Sequence, residues 1–274
     1  MPHHGIFCGT IEAIFIAAHT MPRFFSETSL AEITPGQNIC LPDAVFHHAV
    51  RVRRLKSGDG CTLFDGNGNV WRVTLTGIDK RQAFARAENR LPPTPPPSFP
   101  ITLALAVTAA DRMDWALQKG TELGAAAFLP FYSEHSNARL SDARQQRRSE
   151  HWQAVIVGAC EQCDRNQLPR LSLPVTFDAI LKTAASEATA LRFFLDTCPQ
   201  QTLTAALYSA QKRSPPPVQA FLMVGPEGGF TPDETRAATA AGWQAVRLGP
   251  RVLRAETAAV TAIALVQAFF GDLA

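Results

Sequence analysis

Phe221-Leu222-Met223-Val224-Gly225-Pro226-Glu227-Gly228-Gly229-Phe230 is an apolar run that ends in a glycine-proline loop. A second run, Ala245-Val246-Arg247, leads into a second such loop, Leu248-Gly249-Pro250-Arg251-Val252-Leu253-Arg254. Between them, Thr231-Pro232-Asp233-Glu234 is a complete helix-start signal. It has a threonine cap, a proline in the first helical position and a glutamate three residues after the cap, so exposed amides are satisfied reciprocally. That helix should stop at Gly242. The predicted order is strand, loop, helix, strand, loop and a final helix through Ala258 to Phe270.

Strands that end in glycine loops bring bare backbone close to a ligand, because glycine has no side chain to hold it off. In open α/β sheets, ligands bind outside the carboxyl ends of the strands. The spacing fits neither Gly-x-Gly-x-x-Gly nor a glycine-rich loop ending in Gly-Lys-Ser/Thr. A neutral or cationic ligand held by backbone groups fits these loops better than a phosphate.

Outward from this centre, Leu91-Pro92-Pro93-Thr94-Pro95-Pro96-Pro97-Ser98-Phe99-Pro100 divides the chain. So proline-rich a run continues neither sheet nor helix and acts as a semi-rigid spacer over 92–100. Residues 21–91 alternate short apolar runs with turn residues, and Asp65-Gly66-Asn67-Gly68 between Leu63 and Val70 is a hairpin signal. Several strands in so short a stretch predict a small β-barrel. Beyond residue 100, strand candidates at Ile101–Val107, Ala126–Phe131, Leu191–Leu195 and Phe221–Val224 alternate with helices at Arg112–Leu123 and Leu140–Cys163. That rhythm predicts an α/β domain over 101–274 with a mostly parallel sheet.

The chain has 274 residues, a net charge of +2 and six scattered cysteines, with 46% hydrophobic residues. These describe a globular protein suited to a reducing cytoplasm rather than a disulfide scaffold. The charge permits a nucleic-acid partner without arguing for one. Residues 1–20 read as an N-terminal extension without function, and their apolar run is too short to span a bilayer. Cys160-x-x-Cys163 lacks a second ligand pair, and His47-His48 lacks a partner at ligand spacing, so no metal is expected.

The two loops, with Arg254-Ala255-Glu256-Thr257-Ala258-Ala259 after the second, resemble the paired signature of the RsmE family, 16S ribosomal RNA uridine-N3 methyltransferases of the SPOUT superfamily. The resemblance also takes in Met21–Phe25, His48–Gly58, Asp111–Trp115, Gln118-Lys119, Thr121–Gly124 and Glu161–Asn166. It implies a PUA-like RNA-binding barrel followed by an α/β-knot domain whose C-terminal trefoil knot holds S-adenosylmethionine.

By that resemblance Leu195, Thr197, Val224, Gly225, Glu227, Gly228, Leu248, Gly249, Arg251 and Leu253 bind the cofactor. Arg254 and Glu256 are the catalytic candidates: the guanidinium orients the uracil, and the carboxylate removes or relays the N3 proton. Their alternative is structural, since a glutamate at a helix start is favoured by the macrodipole alone. Glu227 is a competing base or an anchor of its own loop. Arg23, Arg51, Arg54 and Arg165 are candidates for contact with RNA, a role any cationic surface segment could mimic. The implied partners are 16S rRNA in the small ribosomal subunit and a second copy of the chain, joined through the knot region. The apolar final helix suits that interface and a buried core equally. Two other readings stay open: an enzyme of the same superfamily acting elsewhere on RNA, such as a ribose 2′-hydroxyl, and a non-catalytic RNA-binding or ribosome-assembly protein.

Overall fold

The computed structural model describes residues 21–136 and 142–273. The N-terminal stretch of 1–20 and the start of the helix expected from Leu140 lie outside them.

The first sheet contains β1 (Arg23–Phe25), β2 (Asn38–Cys40), β3 (Gly60–Phe64), β4 (Val70–Ile78) and β5 (Ala83–Leu91). Its strand order is β1-β3-β4-β5-β2, with β1 parallel to β3 and the other pairs antiparallel. The β3–β4 hairpin turns at the Asp65–Asn69 segment. There the buried Asp65 carboxylate accepts from the amides of Leu30, Asn67 and Asn69 and from Asn69 Nδ2. Burial pushes that carboxyl upward, but the four donors outweigh it and hold it below the usual carboxylate range. Along β5 the alternation places Ala83, Ala85 and Ala87 inward, where they join Phe24, Leu63, Trp71 and Leu75 in a core of their own.

After Pro42 the chain turns helical as α1 (Asp43–Phe46), which runs into a π-helical segment, His47–Val52. Val45, Phe46 and Ala49 pack into the core of the first sheet. Arg53 follows, and Arg54 takes a left-handed conformation at φ +59.

The second sheet is parallel throughout. It comprises β6 (Ile101–Ala106), β7 (Ala125–Tyr132), β8 (Arg170–Leu171), β9 (Val175–Thr176), β10 (Ala190–Leu195), β11 (Gln219–Val224) and β12 (Gln244–Val246). The order is β12-β10-β11-β6-β7-β8, with β9 also on β7. Its helices are α2 (Ala110–Glu122), α3 (Asp142–Gln162), α4 (Phe177–Ala185), α5 (Leu203–Ala210), α6 (Pro232–Ala240) and α7 (Ala255–Phe270).

Central β6 is buried on both faces, which is why it reads as a continuous apolar run rather than an alternating one. Leu103 and Leu105 face α2, α3, α5 and α7, while Ala104 and Ala106 face the side covered by α4 and α6. α7 is a core helix, with Ala259, Ala262, Ile263 and Val266 fully buried.

The two sheets meet through Phe64 and Val70, which pack into the core of the second domain, and through a set of polar contacts beside them. Phe25 N donates to Glu161 Oε1 at 3.0 Å, and His48 Nδ1 lies 3.3 Å from Glu161 Oε2. Arg23 donates to Asn166 Oδ1, while Asp164 Oδ1 lies 3.1 Å from its Nε. Within the proline tract, Thr94 Oγ1 donates to the Asp164 carbonyl and accepts from Asn166 Nδ2, and Phe99 stacks on Phe270. These contacts fasten the tract to the second domain.

Candidate active site

The carboxyl ends of β10, β11 and β12 open into a cleft of ≈ 420 Å³. That is the size of an ordinary small-molecule site. The β11 wall begins at Val224 and Gly225. A Cβ at Gly225 would come within 3.1 Å of the Phe230 ring, so any other residue would push that ring back by a few tenths of an ångström. Phe230 in turn lies parallel to Phe131, 6.5 Å between centroids, and edge-on to Phe194. The helix start after it is built as its sequence dictates. Thr231 Oγ1 accepts from Glu234 N and Glu234 Oε2 accepts from Thr231 N, a complete capping box. Glu234 is buried and also accepts from Ser133 Oγ and Glu134 N, which ties the loop after β7 to the glycine loop.

The opposite wall is the loop leaving β12. Asp196 N donates to the Val246 carbonyl, Arg247 N to Gln201 and Leu203 N to Arg247, so the segment after β10 clasps the chain as it leaves β12. Gly249 follows at φ +114, a conformation open in practice to glycine alone. The chain then passes inward to α7, whose first residues, Ala255 and Ala258, floor the cleft.

The ten expected cofactor residues all line this cleft except Gly228. Gly228 turns the other way: its carbonyl and that of Gly229 each lie 3.2 Å from His135 Nδ1. Leu195 and Thr197 form a third wall together with Asp196, whose Oδ1 accepts from the amides of Thr197 and Cys198.

The catalytic candidates are separated. Arg254 faces the cleft and is exposed. Glu256, on the first turn of α7, is 9% exposed and outside the cleft lining, and its Oε2 has no hydrogen-bond partner. Glu256, expected to remove or relay the N3 proton, thus stands off the cleft lining. A proton acceptor must come within hydrogen-bond reach of the proton, and the carboxylates that line the cleft are Asp196 and Glu227. Glu227 does anchor its loop, but through the Arg112 guanidinium, with Thr108 Oγ1 at 3.5 Å, rather than through backbone amides.

The four expected RNA contacts also divide. Arg51 and Arg54 are exposed on the first sheet's helical segment, with Arg51 Nη2 donating to the Lys80 carbonyl. Arg23 and Arg165, the other two candidates for RNA contact, point inward. The Arg23 side chain is 13% exposed and lies over the Phe64 ring. Arg165 Nη1 donates to the carbonyls of Thr121 and Ala125 at the end of α2, and burial pulls its pKa below the usual arginine value.

Arg112, Arg247 and Phe230 were not expected in the lining. Phe230 adjoins the glycine loop and Arg247 ends an expected strand, so both were within reach of the sequence. Arg112 comes from α2, more than a hundred residues upstream, and no local pattern joins it to the loops. Among the described residues no group of three or more His, Cys, Asp or Glu is placed to hold a metal, and no helix is long and apolar enough to cross a membrane.

A family model for an RNA methyltransferase domain matches residues 94–267, and one for an RNA methyltransferase PUA domain matches 41–88. The chain is therefore an RNA methyltransferase of the SPOUT α/β-knot class, with a PUA-like module in front of its parallel sheet. Ribosomal RNA small subunit methyltransferase E of Synechocystis sp. is 36% identical over 235 residues, covering 84% of this chain and 73% of that protein. The chain belongs to the small-subunit rRNA methyltransferase E family.

The same enzyme from Neisseria gonorrhoeae, crystallised bound to S-adenosylmethionine, superposes with a TM-score of 0.83 at 33% identity. The match covers 93% of this chain and all of that one. A Legionella pneumophila methyltransferase solved with the same cofactor gives 0.83 at 32% identity, covering 92% of this chain and 99% of its own.

Proposed function

We propose that the chain transfers the methyl group of S-adenosylmethionine to N3 of a uridine in 16S rRNA of the small ribosomal subunit. The observation that carries this reading is the cleft itself, in which two glycine-proline turns face each other across a space sized for one small molecule. Leu195, Val224, Leu248 and Leu253 offer apolar contact for the adenosine, and Thr197, Gly225, Gly249 and Arg251 offer polar and backbone groups. Arg247 Nε, buried on the lining with no hydrogen-bond partner, is a donor suited to a bound carboxylate. When bound, the cofactor supplies an electrophilic methyl on sulfur. The protein orients the base against it, and Arg254 at the open face contacts a uracil carbonyl. Positioning of this kind accounts for several kcal/mol of a barrier.

In this reading residues 21–91 are the RNA-binding module, 92–100 the spacer and 101–274 the catalytic domain. Residues 1–20 take no part. Arg51 and Arg54 contact rRNA phosphates, the active form is a homodimer through the knot region, and the enzyme works in the cytoplasm on rRNA.

Mapping modified nucleotides in 16S rRNA from a strain lacking the gene, with and without the gene restored, tests the proposal. The expected result is one N3-methyluridine that disappears and returns. A missing ribose methylation instead would favour the 2′-hydroxyl reading. An unchanged modification map, with no heat on titrating purified protein with S-adenosylmethionine, would favour an assembly role.

A further inference from the structure

Uridine N3 carries a proton and is a poor nucleophile until it is lost, so an N3 methyltransferase has to dispose of that proton and shelter the resulting anion. Resting on the function proposed above, we infer that Glu227 is the proton acceptor, that Arg112 is the positioning residue that aims it, and that the guanidiniums around the cleft stabilise the uracil anion.

Geometry selects Glu227. Of the two carboxylates on the lining, Asp196 is only partly exposed, and its Oδ1 accepts from the amides of Thr197 and Cys198, which hold the side chain to its own loop. Glu227 is 59% exposed, and Arg112 Nη1 and Thr108 Oγ1 reach it from the α2 side while its face to the cleft stays open. Glu256 is buried off the lining.

The charges around Glu227 favour the same chemistry. Arg112, Arg247, Arg251 and Arg254 line the cleft, four cations against the two carboxylates. His135, behind the loop, lies against the Gly228 and Gly229 carbonyls rather than against the Glu227 side chain. An anion on the uracil ring thus forms among guanidiniums, which lowers the cost of ionising N3. The steps balance. The N3–H bond breaks toward a Glu227 oxygen, which becomes a neutral carboxylic acid. The N3 lone pair then bonds to the methyl carbon as the carbon–sulfur bond breaks, its electron pair staying on sulfur. Glu227 returns the proton to water.

The test compares wild type with Glu227→Gln, which keeps the shape of the side chain and removes its basicity. Single-turnover methylation is measured across pH on an rRNA fragment with uridine at the target, and on the same fragment with 5-fluorouridine, whose N3 proton is more acidic. Affinity for S-adenosylmethionine is measured by calorimetry.

On uridine the variant is expected to be slower by about a hundredfold or more, as for loss of a general base. Cofactor affinity should stay within about threefold, and the deficit should shrink both on 5-fluorouridine and as pH rises. Arg112→Lys should retain part of the rate, and Arg112→Met should show the same relief on 5-fluorouridine. A Glu227→Gln deficit equal on both RNAs and flat with pH, or a rate near that of wild type, overturns the assignment and leaves the N3 reading intact. A wild type that methylates a different atom overturns the N3 reading and this assignment with it.

Discussion

Gly249 gives the sharpest test of the cleft. Its φ of +114 is essentially closed to any residue with a Cβ, yet an added Cβ would meet no atom within 4 Å. For Gly249→Ala the steric contribution therefore vanishes and the whole cost is backbone strain, about 1–3 kcal/mol. That cost appears in one of two places. If the turn relaxes to an ordinary conformation, the binding-competent form becomes a minor state, and cofactor affinity weakens by roughly 5- to 150-fold. If the clasp of Asp196, Gln201 and Leu203 on the chain leaving β12 holds the turn in place, the strain lowers stability instead. The melting temperature should then drop by about 2–4 °C for each kcal/mol in a chain of roughly this size. Isothermal titration with S-adenosylmethionine and differential scanning calorimetry on the same preparation read both terms. A variant with wild-type affinity and wild-type melting temperature would refute the claim that this turn is held in its glycine-only conformation as part of the binding wall.

Three further predictions rest on other parts of the molecule. Thr231→Ala removes a buried cap that closes a full capping box, and should cost about 1–2 kcal/mol in urea titration at an unchanged m-value. Burial raises the Glu161 carboxyl above its ordinary 4.5, with the Phe25 amide, His48, Arg53 and Arg23 opposing. A folded-state pKa above the unfolded one makes its stabilising contribution complete below about 4.5 and lost as pH rises through the raised value. Glu161→Gln should thus gain stability relative to wild type across that window in denaturant titrations, and a constant difference would refute this sign. Replacing Arg51 and Arg54 together by alanine should weaken RNA binding uniformly across sequences and reduce the slope of log K against log salt by about one per lost phosphate contact.

What the sequence disclosed was whatever is settled locally. Thr231, Pro232 and Glu234 define a helix start within four residues, and the structure has it there. Gly249 announces a turn because φ +114 is closed in practice to other residues, and Gly225 announces one because the Phe230 ring lies close against it. The apolar run Ile101–Val107 announced a strand, and the structure forms it as β6. The misses all involve partners distant in the chain. Gly228 faces His135, which enters from the loop after β7, so its motif could not say which side of the loop it takes. Arg112 reaches the cleft only because β6 and β11 are neighbours, which sets the start of α2 beside the glycine loop. The parallel pairing of β1 with β3 is equally non-local. Arg165 lies just past α3 in the chain, but the carbonyls that claim it are those of Thr121 in α2 and Ala125 at the start of β7.

The inward turn of Arg23 and Arg165 bears on mechanism as well as on accounting. A guanidinium withdrawn from water is costly unless its donors are met. Here the Asn166 side chain accepts from Arg23 Nη2 and Asp164 gives it an ion pair, and two main-chain carbonyls accept from Arg165 Nη1. Any other docking of the PUA-like module would break the Arg23 contacts and strip Glu161 of the Phe25 amide and of His48. The proline tract adds its own ties at Thr94, Ser98 and Phe99. These directional bonds, beside the apolar packing of Phe64 and Val70 into the second domain, hold the module in one orientation. For an enzyme that must hold one base in line with a methyl group, this matters, because misplacement by about 1 Å forfeits much of the advantage of orientation. Arg23 and Arg165 thereby fix where the exposed pair, Arg51 and Arg54, stands relative to the second domain.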